Sequence, residues 1–144
     1  METQTMGKTL VKARITNLND WLNVKSGILK SEQVRFIEVE NAVVDTGAKF
    51  VSMPKGIIQQ LGLVHFSTRP ATTAAGDMSC RLYSSVRLEL QGRECNIDVA
   101  EVADTCPVLI GYFALELLDF LVDSRNRRII PNPEYGGQQV VELY

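Results

Sequence analysis

Ala42-Val43-Val44-Asp45-Thr46-Gly47-Ala48 runs three apolar residues straight into an acid, a hydroxyl and a glycine. The apolar run predicts a short buried strand that stops abruptly at Asp45. Upstream, Val34 to Glu40 reads as a strand with apolar residues on both faces. Downstream, Phe50 and Val51 resume an extended run, and Ser52 with Pro54 predicts the start of a short helix. Ile57, Ile58 and Leu61 give that helix a buried stripe, and Gly62 ends it.

Further out, the pattern is one of short strands. Residues 9–16 alternate, with Val11, Ala13 and Ile15 on one face and Lys12, Arg14 and Thr16 on the other. Asn17 to Gln33 is rich in Asn, Asp, Ser and Gly, and predicts a long excursion with at most a helical turn. Ser67 to Thr73 is extended, and Ala74-Ala75-Gly76-Asp77 is a turn signal. Leu82, Ser84, Val86, Leu88 and Leu90 then alternate with polar residues, and Gln91-Gly92 turns the chain into a second alternating strand through Cys95, Ile97 and Val99. Pro107 to Ile110 is a buried run closed by Gly111, followed by a short helix over Tyr112 to Leu118. Two strands flank the turn Asp123 to Asn126, and a last strand is expected over Gln138 to Leu143. The expected class is all-β, mainly strands with two short helices, closed as a barrel or sandwich.

Composition narrows the chemistry. The 144 residues are 45% hydrophobic and 22% charged, which fits one globular domain spanning 1–144. A net charge of -2 leaves no basic footprint for nucleic acid. No apolar run approaches the roughly 20 residues that span a bilayer, and Met1 to Gly7 lacks the features of a secretory signal. The expectation is a cytoplasmic protein with no membrane and no nucleic-acid partner. Three cysteines without C-x-x-C spacing argue against a disulfide scaffold or structural zinc, and a single histidine, His65, excludes two-His metal motifs. No metal or other cofactor is expected, and the search moves to carboxylates.

Asp45-Thr46-Gly47-Ala48, preceded by apolar residues, resembles the signature of the retroviral-type (retropepsin-like) aspartic peptidases, closest to the short single-lobe members found outside viruses. The order of landmarks strengthens the likeness: a strand-and-helix segment after the motif, a hairpin tipped near Ala75-Gly76, and Val108-Leu109-Ile110-Gly111 before a short helix. The resemblance covers roughly 34–123. It implies a closed acid-protease barrel, with residues 17–33 as an insertion and 124–144 as a C-terminal extension carrying a terminal strand.

The resemblance also implies a mechanism. Asp45 is the catalytic residue, one per subunit. Thr46 locks the loop through its hydroxyl, and Gly47 lets backbone N–H groups reach the carboxylate. A water held between two carboxylates, one ionised and one protonated, hydrolyses the peptide bond, since paired acids cannot both ionise. No other aspartate here is followed by Thr/Ser-Gly, so the second carboxylate must come from a second copy, in a homodimer. In retroviral relatives the chain termini interleave at the dimer interface, which makes Val11 to Ile15 and Gln138 to Leu143 candidates. The hairpin from Arg69 to Tyr83 would be a flap over a protein or peptide substrate, with Ala74, Ala75 and Gly76 at its tip. Ala48, Leu82 and Ile110 are expected pocket residues. The chain departs from the retroviral pattern at Lys49, where an acidic or polar residue is common, and at Tyr112, where an arginine is usual. The other expected class is a non-catalytic dimer of the same fold that binds peptides or assembles with a partner.

Overall fold

The computed structural model describes residues 8–143; the Met1 to Gly7 stretch lies outside the described residues. Nine strands, three α-helices and two short 3-10 turns follow one another. They are β1 (Thr9–Asn17), α1 (Leu18–Lys25), β2 (Phe36–Val44), β3 (Val51–Pro54), α2 (Lys55–Leu61), β4 (His65–Thr73), β5 (Gly76–Leu90), β6 (Arg93–Val102), β7 (Leu109–Ile110), α3 (Tyr112–Leu118), β8 (Phe120–Asp123) and β9 (Arg128–Pro131).

Seven strands form one mixed sheet in the order β1-β2-β7-β3-β6-β5-β4. Because β1 also pairs with β5, the ladder β1-β2-β7-β3-β6-β5 returns on itself, with β4 outside the ring. The mainly β expectation therefore holds. Its interior collects the alternating residues: Val11, Ala13 and Ile15 from β1, Val86, Leu88 and Leu90 from β5, Ile97 and Val99 from β6. Each large aliphatic group so buried stabilises the fold by about 1.5–3 kcal/mol. In β5 the alternation slips, because a bulge between Tyr83 and Val86 buries Tyr83 and leaves Ser84 half-buried.

Three expectations are corrected. Ser52 does not cap a helix; it is 5% exposed inside β3, which is bonded on one side to β6 and on the other to β7. The helix that follows starts at Lys55 and ends, as expected, at Gly62 in the left-handed region. The segment 17–33 contains a true helix, so there are three helices rather than two. Asn17 caps it by accepting the Asp20 N–H at 3.0 Å, and its amide donates to the Leu61 carbonyl at 2.8 Å. Arg35 closes the excursion with three bonds to Asp20, from its backbone N–H (3.0 Å), Nε (2.8 Å) and Nη2 (3.0 Å). Finally, Gln138 to Leu143 forms no strand, and β1 is already paired with β2 along its length and with β5 over Arg14–Asn17. A strand exists only where another strand pairs with it, and among the described residues of this single chain none pairs with the tail.

Candidate active site

The site is built by β7. It runs parallel to β2, with Val43 opposite Leu109 and Val44 opposite Ile110, and antiparallel to β3, with Val51 opposite Ile110. The chain leaves β2, makes the Asp45–Phe50 loop, and returns in β3 on the far side of β7. The loop is thus stretched over the end of a strand that holds both of its stems.

Backbone bonds then fix it. The Asp45 N–H donates to the Ile110 carbonyl at 2.9 Å, and the Val43 N–H to Val108 at 2.9 Å. From the other direction, Gly111, Tyr112 and Phe113 donate to Phe50 (3.1 Å), Ala48 (2.9 Å) and Lys49 (3.2 Å). The first turn of α3 therefore spends its N–H groups, which no helix can satisfy internally, on the carbonyls of the loop. Phe113 also packs edge-on against Phe50 at 6.1 Å, with the Lys49 ammonium 5.8 Å above its ring.

At the apex the Gly47 N–H donates to Asp45 Oδ1 at 3.0 Å, inside a turn closed by the Ala48 N–H on the Asp45 carbonyl (3.1 Å). A Cβ on Gly47 would lie 3.2 Å from that carboxylate oxygen, so the close approach expected from sequence is present. Asp45 is half-buried, while Thr46 and Gly47 are exposed. Among the described residues Asp45 has no ion-pair partner and the Thr46 hydroxyl makes no hydrogen bond. The carboxylate is oriented by one donor and remains partly accessible.

The other expected residues divide. Ala48 is half-buried in the same loop. Ala74 and Ala75 make the two-residue turn of the β4–β5 hairpin, with Thr73 opposite Gly76 and Gly76 at φ +113. All three tip residues are exposed. The Thr73 hydroxyl ties the tip by accepting the Ala75 N–H (3.1 Å) and donating to the Gly76 carbonyl (2.9 Å). Leu82 and Ile110 are 3% and 0% exposed. Ile110 belongs to the core cluster beneath the loop, and Leu82 is buried on the hairpin arm, so neither side chain is open in the single chain. Sequence reasoning marked Gly111 as the end of an apolar run and as part of the landmark before the short helix, but missed it as a packing requirement. It also missed Thr73, whose hydroxyl three residues before a glycine is a local turn signal.

A family model described as aspartyl protease matches residues 35–113, more than half of the chain. The matched span opens one residue before β2 and closes in the first turn of α3, so it contains the Asp45 loop, the hairpin and β7. No curated protein matches the chain.

Proposed function

The chain belongs to the aspartyl protease family, and from that premise we propose that it is an endopeptidase whose site is completed by a second copy of itself. The observation that carries the reading is the state of Asp45: a single carboxylate, aimed by Gly47, on an exposed loop with no acidic companion of its own motif in the chain. Two copies related by a two-fold axis would bring Asp45 beside its mate. Carboxylates that close share one proton, a behaviour established for aspartic-protease dyads. The ionised member takes a proton from the water between them, and the protonated member polarises the scissile carbonyl. The water oxygen bonds to the carbonyl carbon, the amide nitrogen gains a proton, and the C–N bond breaks to give an acid and an amine.

In this reading the exposed Thr46 hydroxyl, at the apex, finds its partner across the axis. The substrate is a protein or peptide in extended form, lying over Ala48 and under the Ala74-Ala75-Gly76 tip. The hairpin acts as a flap that excludes water.

The test is cleavage of a denatured protein at about pH 4 to 7, a span from the ordinary carboxylate range to neutrality, by the wild type and by Asp45→Asn. Cleavage by the wild type alone supports the reading. Cleavage by both overturns it. Peptide binding by both forms without cleavage would assign the fold to a binding module instead.

A further inference from the structure

The excursion over residues 17–33 precedes the span matched by the family model, and it folds back over the sheet to leave a slot of about 310 Å³. The floor of the slot is built from cross-strand neighbours. Thr16 of β1 stands opposite Arg87 of β5, and Arg14 opposite Glu89. Glu94 of β6 flanks Glu89 on its other side. These positions alternate with the core residues Ala13, Ile15, Leu88 and Leu90, so their side chains leave the opposite face of the sheet. The roof is Trp21, Val24 and Lys25 of α1, with Val34 beyond it. The Arg87 guanidinium lies 4.0 Å from the Trp21 ring centroid and the Lys25 ammonium 5.0 Å from it. Both cations hold the indole in place as one wall.

The charges around the slot do not close among themselves. Arg87 is paired with Glu94, while Arg14 turns to Glu38 at 3.8 Å and to the Phe36 ring at 4.0 Å. Two charges of opposite sign are left over. Glu89 is half-buried and has no ion-pair partner among the described residues, although a like charge, Glu94, stands directly opposite. Lys25, on the roof, has no carboxylate partner among the described residues. A third group is also unspent. Thr16 is 8% exposed, and its hydroxyl makes no hydrogen bond among the described residues. Because no fully enclosed side-chain polar atom there lacks a partner, that hydroxyl opens on the slot. Polar groups withdrawn from water need partners, and the volume lies at the small end of ligand sites.

We infer that this slot binds a small zwitterion with an apolar body, a free amino acid or a dipeptide. Its ammonium meets Glu89, its carboxylate meets Lys25, and its side chain lies against Trp21, Val24 and Val34. Peptide cleavage releases molecules of this chemistry, but the inference does not rest on the Asp45 reading, since binding is measured without turnover.

The chain holds a single tryptophan, so its fluorescence reports on this slot. The full chain is titrated with leucine and with leucylleucine, by fluorescence and by heat of mixing. A saturable change is expected with at least one of them. Leucinamide and acetylleucine each lack one charge and should bind about tenfold more weakly or worse, as should the intact ligand on Glu89→Gln and on Lys25→Gln. Thermal unfolding checks the variants, and the two derivatives need no variant at all. Asp45→Asn should bind as the wild type does, whether or not the wild type cleaves peptides. No saturable change in either signal up to about 10 mM overturns the inference. So does a derivative or a folded variant that binds as tightly as the intact pair. Binding lost in Asp45→Asn would place the ligand at the cleavage loop and overturn it as well. None of these failures touches the peptidase reading.

Discussion

Gly111 lies so close to Lys49 that a Cβ on it would sit 2.5 Å from both the Lys49 carbonyl carbon and its oxygen, with the Phe50 oxygen at the same distance. The glycine is what allows β7 and the first turn of α3 to grip the Asp45 loop from beneath. Backbone cannot move aside as a side-chain end can, so Gly111→Ala must displace the loop. The expected cost is about 2–4 kcal/mol in stability and loss of cleavage through misplacement of Asp45. Gly56→Ala is the control: its added Cβ meets nothing within 4 Å in α2, and it should be neutral or stabilise by up to about 1 kcal/mol. Thermal unfolding and cleavage rates of the two variants check this.

Asp20 ties the 17–33 excursion to the fold. Arg35 hydrogen-bonds its carboxylate and holds its pKa below the ordinary 3.8, against the opposing effect of burial. As pH falls, the unfolded chain takes up this proton first. The stabilisation is therefore complete above about pH 4 and is lost as pH drops through the lower folded value. Asp20→Asn should flatten the stability–pH curve in that acid window. Because the Arg35 side chain is 51% exposed, the loss at neutral pH should be about 1–2 kcal/mol, less than for a fully buried pair. Denaturant unfolding of both forms at a series of pH values measures it.

How much of this was legible in sequence follows from how local each signal is. The Asp45 loop, the β5–β6 hairpin and the Gly62 cap were legible because strand alternation and a left-handed glycine are written within a few residues. α1 was not. Its apolar residues Leu18, Trp21 and Leu22 stand at i, i+3 and i+4, but that stripe lasts little more than one turn and the buried residue of the helix is Asp20, whose docking depends on Arg35, 15 positions away. Ser52 looked like a cap because its burial comes from β6 and β7, distant in the chain. Gln138 to Leu143 has the composition of a strand, yet composition cannot supply the partner that a strand requires.

The hairpin tip offers a third prediction. Thr73→Val removes both hydroxyl bonds at the turn while keeping a strand-forming residue. Under the flap reading this loosens the tip that covers substrate. KM for an extended peptide should rise about two- to tenfold, with stability within about 0.5 kcal/mol of wild type as for other exposed sites. Steady-state kinetics beside thermal unfolding separates the two effects.

Cys95 should be inert in the folded chain. Burial pushes its thiol up to about 11 from 9.0, only partly opposed by Arg87 nearby. At mildly alkaline pH its thiolate fraction is then about a hundredfold smaller than in the unfolded chain. Alkylation followed by mass spectrometry should show Cys95 modified about a hundredfold more slowly without denaturant than with it.

The most direct test of a site shared between two copies is to dilute active chains with inactive ones. Wild type is allowed to exchange subunits with increasing amounts of Asp45→Asn, and cleavage is measured per wild-type chain. If each site needs Asp45 from both copies, an equal mixture leaves about a quarter of the dimers fully wild type, and activity per wild-type chain falls to about one half. If activity per wild-type chain stays constant at every ratio, one copy suffices and the shared carboxylate pair does not exist.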